Sequence, residues 1–179
     1  TCMAKIAIYG TGYVGLVTGV CFAECGHEVL CVDIDENKIQ ALQNGILPIV
    51  EERLPELLDK HQKTGKINFI SKYEEAISQS YYHVIAVGTP EGKNGEADLT
   101  FVNAVASEIN RSRTEPFVII IKSTVPVGTA ERMRKMLLNE QQTRNTTIEF
   151  HVVSNPEFLR EGKAIHDCLF PDRILLGGE

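Results

Sequence analysis

The 179-residue sequence lacks features that would place it in several protein classes. No apolar run approaches the ~20 residues of a membrane-spanning helix, and no basic region precedes a long apolar stretch as in a signal peptide. The formal net charge is −6 and no stripe of basic residues is present. We therefore expect a cytoplasmic protein with neither membrane nor nucleic-acid partners.

The sequence also shows no motif for a metal site or for a reactive thiol. The cysteine count is odd, the spacing matches no zinc motif, and the pair on one predicted helix has no histidine to complete a ligand set. We expect no metal ion, and we interpret the cysteines as reduced, inert thiols. They are Cys2, Cys21, Cys25, Cys31 and Cys168.

The composition and order of the remaining residues indicate one α/β domain. The hydrophobic fraction of 43% is ordinary for a globular protein, and no repeat, low-complexity tract or linker interrupts residues 1–179. Predicted strands cover Ile6–Tyr9, Val29–Val32, Ile67–Ile70, Val84–Val87, Phe117–Ile121, Phe150–Val153 and Arg173–Leu176. Predicted helices run to about Cys25, over Glu36–Gln43, Leu54–His61, Tyr73–Ser80 and Leu99–Asn110 (capped by Asp98), and from Gly128 to about Asn139. Such alternation predicts a doubly wound, mainly parallel sheet with helices on both faces.

A glycine motif follows the first predicted strand. Gly10, Gly12 and Gly15 have G-x-G-x-x-G spacing before a helix, and the next strand ends in Asp33. In a dinucleotide site the first glycine allows a tight turn, the second lets a pyrophosphate approach the backbone, and the third lets helix and strand pack closely. Relatives of this motif bind FAD, NADP or S-adenosylmethionine, but the whole pattern indicates a Rossmann-like site for an adenine cofactor.

The acidic residue favours NAD over NADP. The charge of Asp33 would repel a 2′-phosphate, and neither Ile34 nor Asp35 supplies an arginine to hold one. Lys38, one helical turn later, is either a contact for the adenosine ribose or an ordinary exposed lysine.

Three later loops also follow predicted strands, at Gly88–Pro90, Ser123–Gly128 and Ser154–Glu161. The carboxyl ends of parallel strands meet at one edge of a sheet, so we expect these loops to line one crevice with Gly10–Gly15 and Asp33. Turn chemistry alone also explains their glycines and prolines.

Several segments together resemble the N-terminal, NAD-binding domain of the nucleotide-sugar 6-dehydrogenases, the family that includes UDP-glucose and GDP-mannose dehydrogenases. The resemblance covers essentially the whole chain and is far more specific than the glycine motif alone. The segments are GTGYVGL (Gly10–Leu16), VGTPEGKNGEADLT (Val87–Thr100), KSTVPVGT (Lys122–Thr129), SNPEFLREGKAIHD (Ser154–Asp167) and PDR (Pro171–Arg173).

The resemblance implies an activity and a set of site residues. The family oxidises a sugar C6 alcohol to a carboxylate in two hydride transfers to NAD. It implies that Thr124 and Glu157 are catalytic, and that a UDP-sugar contacts Glu157, Phe158, Leu159, Arg160 and Glu161. It implies NAD contacts at Gly10, Thr11, Gly12, Tyr13, Val14, Gly15, Asp33, Lys38, Thr89, Thr124 and Glu161. A full-length homodimer or higher homo-oligomer is expected.

Two departures from the family pattern stand out. Val50–Leu54 reads V-E-E-R-L where the family has Y-E-P-G-L, so the conformation of this loop is open. The family's nucleophilic cysteine and its partners lie in a C-terminal half that the 179 residues do not match. We interpret the chain as an N-terminal fragment without the UDP-sugar-binding half, and we expect it to be inactive alone.

Two alternatives remain. Pro48–Glu51 and the NPEFLRE segment also suit a GDP-mannose enzyme, whereas GEADLT and Pro171–Arg173 favour one acting on UDP-glucose. A regulatory NAD-sensing module would share the glycine motif and Asp33, but it would need no analogue of STVPVGT or NPEFLRE.

Overall fold

Six short strands form one parallel sheet in a computed structural model that describes residues 2–178. They are β1 (Lys5–Tyr9), β2 (Glu28–Val32), β3 (Ile67–Ile70), β4 (Tyr82–Ile85), β5 (Phe117–Ile121) and β6 (Phe150–Ser154). Their spatial order is β3-β2-β1-β4-β5-β6, and every pairing between these strands is parallel. The order reverses direction between β1 and β4, so a ligand crevice is expected above their carboxyl ends.

Seven helices of the described chain cover both faces of the sheet. They are α1 (Tyr13–Glu24), α2 (Glu36–Gln43), α3 (Leu54–Lys63), α4 (Tyr73–Gln79), α5 (Thr100–Ser112), α6 (Thr129–Thr143) and α7 (Ala164–Leu169). Apolar side chains of α1, α2, α3 and α7 pack into a first core, and those of α4, α5 and α6 pack into a second core on the opposite face. None of these helices, within residues 2–178, has both the length and the hydrophobicity needed to cross a bilayer.

Strand residues alternate between the two cores. In β1, Ile6 and Ile8 face the first core, whereas Ala7 and Tyr9 face the second. Because successive strand side chains point to opposite faces, a strand buried on both sides needs an unbroken apolar run. This requirement explains the continuous apolar segments of the sequence and confirms the predicted Rossmann-like fold.

Most predicted boundaries are correct to within two residues, but the last predicted strand is wrong. Arg173–Leu176 forms no strand; Ile174 is 68% exposed and Leu176 is 67% exposed. The nearest backbone pairing is an isolated antiparallel bridge from Gly177 to Ser154. An apolar segment forms a strand only where its backbone can pair with a neighbouring strand over several residues. One isolated bridge does not provide such pairing.

Smaller differences concern helix starts. Helix α7 was not predicted, and α5 begins at Thr100, with Leu99 in the cap position predicted for Asp98. The Asp98 carboxylate still accepts a hydrogen bond from the Thr100 backbone N–H at 2.9 Å. The side chain expected to cap the helix therefore does so from one residue further away.

A pair of polar side chains, Tyr9 and His83, is buried on the side of the sheet that faces the second core. The Tyr9 hydroxyl and His83 Nδ1 are 2.8 Å apart, and both side chains are inaccessible to solvent. Burial first, and the positive charge of Arg113 second, lower the pKa of His83 to about 3. The folded protein therefore holds His83 neutral.

This depressed pKa predicts an acid-sensitive stability. An unfolded histidine has a pKa near ~6.5, so the stabilisation is complete above that value and is lost as the pH falls towards about 3. Between about pH 7 and about pH 5 the term amounts to about 2 kcal/mol of the free energy of unfolding. The asparagine of the His83→Asn variant does not titrate. Between these pH values its free energy of unfolding, measured with urea, should therefore fall by about 2 kcal/mol less than that of the wild-type protein.

The control for this prediction is His151→Asn, since the imidazole of His151 is exposed. That variant should keep the wild-type dependence on pH. An unchanged dependence in His83→Asn would contradict a neutral, buried His83.

Candidate cofactor and active site

Two adjoining crevices lie at the carboxyl edge of the sheet. A cavity of about 960 Å³ is formed by the loops after β1, β2, β4 and β5; we call it the cofactor cleft. A cavity of about 600 Å³, the second crevice, lies between the loops after β5 and β6. The two share Lys122, Ser123 and Thr124 in their walls, so the single crevice expected from the sequence has two compartments that meet at these residues.

The three glycines of the motif have different surroundings. Gly10 has φ +102°, and a Cβ built there would lie 2.5 Å from the Ala86 carbonyl oxygen. A Cβ on Gly15 would lie 1.9 Å from the Gly10 carbonyl oxygen, whereas a Cβ on Gly12 would meet no atom within 4 Å. Gly10 and Gly15 are thus required by packing, and Gly12 leaves open space against the cleft.

The first turn of α1 faces the cofactor cleft without a side-chain cap. Gly12, Tyr13 and Val14 line the cleft at this helix start. Unpaired N–H groups and the positive end of the helix dipole both favour a phosphate at such a position. This geometry, with a bare Gly12 backbone, suits a pyrophosphate.

Asp33 provides a fixed negative charge at the end of β2. Its Oδ2 accepts hydrogen bonds from the Thr11 N–H at 3.0 Å and the Thr11 hydroxyl at 2.7 Å, and its Oδ1 accepts one from the Asp35 N–H at 3.0 Å. Burial opposes the charge, but these hydrogen bonds and the ammonium of Lys38, 3.7 Å away, hold the pKa of Asp33 below its usual range. An ionised carboxylate in this wall of the cleft can accept hydrogen bonds from ribose hydroxyls, and it repels a phosphate group.

A buried acid that sequence reasoning missed joins the glycine turn to the loop before α7. Glu51 is only 4% exposed, and its carboxylate accepts hydrogen bonds from the Tyr13 hydroxyl at 2.6 Å, the Gly162 N–H at 2.8 Å and the Ala164 N–H at 3.3 Å. Burial raises its pKa, but these hydrogen bonds outweigh it and the net pKa is lowered. The signal in the sequence was that Glu51 keeps the acid of the family's Y-E-P-G-L pattern inside a segment that otherwise departs from it.

The departing segment keeps the backbone shape of a glycine. Arg53, which stands where the family pattern has glycine, has φ +67° and is therefore in the left-handed region. That conformation is costly for a side chain with a Cβ. The loop nevertheless ends in α3 and presents Glu51, so the missing Pro-Gly pair has not abolished this turn.

The loops after β4 and β5 are tied to each other beside the cleft. The Thr89 hydroxyl donates to the Thr124 carbonyl at 2.9 Å, and the Ser123 hydroxyl donates to the Val87 carbonyl at 2.7 Å. Thr124 is an exposed residue that lines both crevices. The two predicted threonines are thus brought together, with Thr124 at the junction.

The predicted substrate segment is not a continuous surface. Among its described residues, only Glu157 lines either of the two crevices. Its half-buried carboxylate accepts a hydrogen bond from the Leu159 N–H at 2.6 Å. Glu157 is not a helix-start acid, since no helix begins directly after Pro156 in the described chain.

The other members of the segment have separate neighbours. The Arg173 guanidinium lies 4.4 Å from the centre of the Phe158 ring, and Leu159 packs against the first core. Arg160 forms an ion pair with Asp167, with Nη2 at 2.7 Å from Oδ1. Glu161 is exposed. Burial first and the hydrogen bond to Glu51 second raise the pKa of Tyr13, and the charge of Glu161 adds to this effect.

Lys122 is a second site residue that sequence reasoning left unassigned. It is half-buried and lines both crevices beside Thr124. Burial lowers its pKa, while Cys168 and the carboxylate of Glu157 act in the opposite direction. The signal that could have indicated it is its position, as a charged residue directly after a fully apolar strand.

The family follows from a direct match. Residues 4–179 match the model of the UDP-glucose/GDP-mannose dehydrogenase family, NAD binding domain. The chain belongs to this family. Its cofactor is accordingly NAD, as the glycine motif and Asp33 predict.

Relatives of the family give the same assignment. The chain is 49% identical to UDP-glucose 6-dehydrogenase TuaD of Bacillus subtilis, over 98% of the chain and 37% of that protein. It is 47% identical to UDP-glucose 6-dehydrogenase of Rhizobium meliloti, over 97% of the chain and 39% of that protein. The chain therefore spans about two fifths of the length of these relatives.

Solved structures of the family have the same fold. A UDP-glucose dehydrogenase from Pyrobaculum islandicum superposes with a TM-score of 0.91 at 38% identity, covering 99% of the chain and 41% of that structure. A GDP-mannose dehydrogenase from Pseudomonas aeruginosa gives a TM-score of 0.88 at 36% identity, covering 97% of the chain and 41% of that structure.

The surroundings of Gly12 and Gly15 predict that substituting each glycine affects a different property, which is NAD binding for Gly12 and stability for Gly15. Gly12→Ala should fold normally but weaken NAD binding at least about tenfold, because its methyl group would occupy the phosphate approach. Gly15→Ala should lower the free energy of unfolding by roughly 1–3 kcal/mol, because overpacking forces the helix away from the turn. Calorimetric NAD titration and urea unfolding of both variants provide the measurement; equal effects of the two substitutions on both properties would contradict this division.

Asp33 predicts the choice of cofactor. Asp33→Asn should weaken NAD binding by roughly tenfold or more, since hydrogen bonds to a charged group contribute about 1.5–3 kcal/mol. It should also reduce the preference for NAD over NADP, because the charge that repels the 2′-phosphate is gone. Asp35→Asn is the matched control, since Asp35 caps α2 from outside the cleft and asparagine is an equally good cap. Wild-type protein that binds NADP as tightly as NAD would overturn this role of Asp33.

Proposed function

We propose that the chain is the cofactor-binding domain, residues 1–179, of an NAD-dependent nucleotide-sugar dehydrogenase that oxidises UDP-glucose to UDP-glucuronate in two hydride transfers. The observation that carries the proposal is the junction of the two crevices. There the cofactor cleft opens onto a second compartment at Thr124, with Glu157 in the wall of that compartment. A substrate carbon at this junction would adjoin both the cofactor and an acid–base group.

The residues of the chain have distinct roles in this proposal. NAD, when bound, supplies the hydride acceptor. The turn Gly10–Gly15 and Tyr13 hold the pyrophosphate, Asp33 and Lys38 hold the adenosine ribose, and Thr89 fixes the loop of Thr124. The interaction of Glu161 with the cofactor is part of the same proposal, because the resemblance to the family implies it.

Proton transfer is assigned to the junction. The Glu157 carboxylate takes the proton of the C6 alcohol, the Thr124 hydroxyl orients a water molecule, and the Lys122 ammonium favours the negatively charged oxygen that develops. Phe158, Leu159 and Arg160 contribute as the backbone segment that holds Glu157 and borders the UDP-sugar, since their side chains pack elsewhere.

UDP-glucose is favoured as substrate because the relatives of Bacillus subtilis and Rhizobium meliloti are named UDP-glucose 6-dehydrogenases. GDP-mannose is the second candidate, because the Pseudomonas aeruginosa structure is of a GDP-mannose dehydrogenase with a similar fold. In either case the family's covalent chemistry needs a nucleophilic cysteine from a further domain, so the 179 residues alone should be inactive. We also propose a cytoplasmic homo-oligomer for the full-length protein.

The full-length protein should produce two NADH for each UDP-glucose consumed. Glu157→Gln and Thr124→Ala in that protein should lower kcat about 10²- to 10⁴-fold, because general acid–base groups contribute that much. NAD affinity should change far less, since Glu157 lines only the second crevice and Thr124 lies at the junction of the two crevices. The measurement combines steady-state NADH formation with NAD titration.

Glu149→Gln is the control, because this exposed acid, directly before β6, lies outside both crevices. It should keep the wild-type kcat. Near-wild-type kcat in both junction variants would show that they are structural, and faster oxidation of GDP-mannose than of UDP-glucose would exchange the two candidate substrates.

A further inference from the structure

The buried carboxylate of Glu51 accepts hydrogen bonds from two separate parts of the chain. Its Oε1 accepts one from the Tyr13 hydroxyl at 2.6 Å, and Tyr13 lies in the first turn of α1, in the wall of the cofactor cleft. The backbone N–H of Gly162 also donates to Oε1, at 2.8 Å, and that of Ala164 donates to Oε2 at 3.3 Å. These two residues belong to the segment that follows Glu157 and leads into α7.

The hydroxyl of Tyr13 also contacts this segment directly. Its oxygen lies 3.3 Å from the carbonyl oxygen of Arg160. Asp167 holds Arg160 in turn, because its carboxylate accepts hydrogen bonds from the Arg160 backbone N–H at 2.9 Å and from the guanidinium at 2.7 and 3.0 Å. Residues 160–167 are thus tied to one another, and we call them the anchored turn. Tyr13 and Glu51 attach the anchored turn to α1.

Glu157 lies just before the anchored turn. Only Phe158 and Leu159 separate it from Arg160. Its carboxylate accepts a hydrogen bond from the Leu159 N–H at 2.6 Å, and it lines the second crevice. Because so short a connection follows any displacement of its end, the position of the anchored turn determines where the Glu157 carboxylate lies in that crevice.

We propose that Glu51 is a positioning residue that couples NAD binding at the start of α1 to the placement of Glu157. The inference rests on the proposed function, because it takes Glu157 as the acid–base group for a UDP-sugar. A dinucleotide against the backbone of Gly12 and Tyr13 restricts the first turn of α1, and the hydrogen bonds of Glu51 then restrict the anchored turn as well. Coupling between two ligands is reciprocal, so the sugar tightens binding of the cofactor by the same factor.

A carboxylate suits this role because both of its oxygens are acceptors. When ionised it offers about four lone-pair sites and no donor, so Glu51 accepts from one hydroxyl and two N–H groups at once. The side chain is buried, and buried N–H groups that lose their acceptor are costly. Loss of the carboxylate therefore releases both attachments, whereas loss of the Tyr13 hydroxyl releases only the one to α1.

Two variants of the full-length protein separate these attachments. Glu51→Met keeps the length of the side chain but removes both carboxylate oxygens, whereas Tyr13→Phe removes one hydroxyl and leaves the hydrogen bonds of Glu51 to Gly162 and Ala164. Glu52→Met is the matched control, because the Glu52 side chain is exposed and makes no hydrogen bond or ion pair within residues 2–178. If Glu51→Met does not fold, Tyr13→Phe decides the question alone.

The first measurement is hydrogen exchange of the anchored turn, followed by mass spectrometry with NAD as the only ligand. In the wild-type protein and in Glu52→Met, NAD should slow the exchange of backbone amides in residues 160–165 by about fivefold or more, the lower end of typical coupling between sites. In Tyr13→Phe and Glu51→Met, NAD should still bind but leave this exchange unchanged. No nucleotide sugar is present, so the result does not depend on which sugar the protein oxidises.

The second measurement is the affinity for the cofactor with and without UDP-glucose, with NADH in place of NAD so that no turnover occurs. UDP-glucose should tighten NADH binding by about fivefold or more in the wild-type protein and in Glu52→Met, and by less than about twofold in Tyr13→Phe and Glu51→Met. The double variant should lose no more coupling than either single variant, because both groups belong to one chain of contacts. A purely structural role would lower stability and leave this ratio intact.

The two measurements distinguish failure of the proposed function from failure of the positioning role. Wild-type protein that shows protection by NAD but neither binds nor oxidises UDP-glucose would reject the proposed substrate and leave the positioning role in place. The positioning role is overturned if NAD does not protect residues 160–165 in the wild-type protein, if UDP-glucose binds without tightening NADH, or if Tyr13→Phe keeps the wild-type protection and coupling.

Discussion

The close approach of Gly15 on α1 to the Gly10 carbonyl is the contact on which the rest of the site depends. A single Cβ at Gly15 would lie 1.9 Å from that oxygen, so the helix can lie over the turn only because no side chain intervenes. The approach directs the uncapped start of α1 at the cofactor cleft, between the ends of β1 and β4. The open backbone that Gly12 and Tyr13 present to the cofactor cleft, and with it our proposed position for NAD, depends on this packing.

A buried acid extends the same constraint to the second crevice. The Glu51 carboxylate holds the Tyr13 hydroxyl on one side and the backbone of Gly162 and Ala164 on the other. The glycine turn and the segment that ends in α7 are therefore parts of one hydrogen-bonded unit. A charge buried at 4% exposure is tolerated because it accepts three hydrogen bonds. The arrangement links the cofactor half of the site to the half that carries Glu157.

Local patterns predicted the parts of the fold that depend on local chemistry. The bounds of α2, β3 and β5 agree with the predicted ones, because turn residues and apolar runs mark these elements clearly. The loops of Asp33, Thr89 and Thr124 were placed at the cofactor cleft by the rule that strand ends share an edge. The strand at Arg173–Leu176 failed because pairing depends on a neighbour, and Glu51 was missed because its partners Tyr13, Gly162 and Ala164 lie far away in sequence. Roles for Thr124, Glu157 and Glu161 came from family resemblance and stay predictions.

The most direct measurement is a crystal structure of the protein with NAD. We expect adenosine ribose hydroxyls on the Asp33 carboxylate, the pyrophosphate against the backbone of Gly12 and Tyr13, and the nicotinamide ring at the Thr124 junction, facing Glu157. A dinucleotide bound in the opposite direction, or with its nicotinamide outside the junction of the two crevices, would contradict the account.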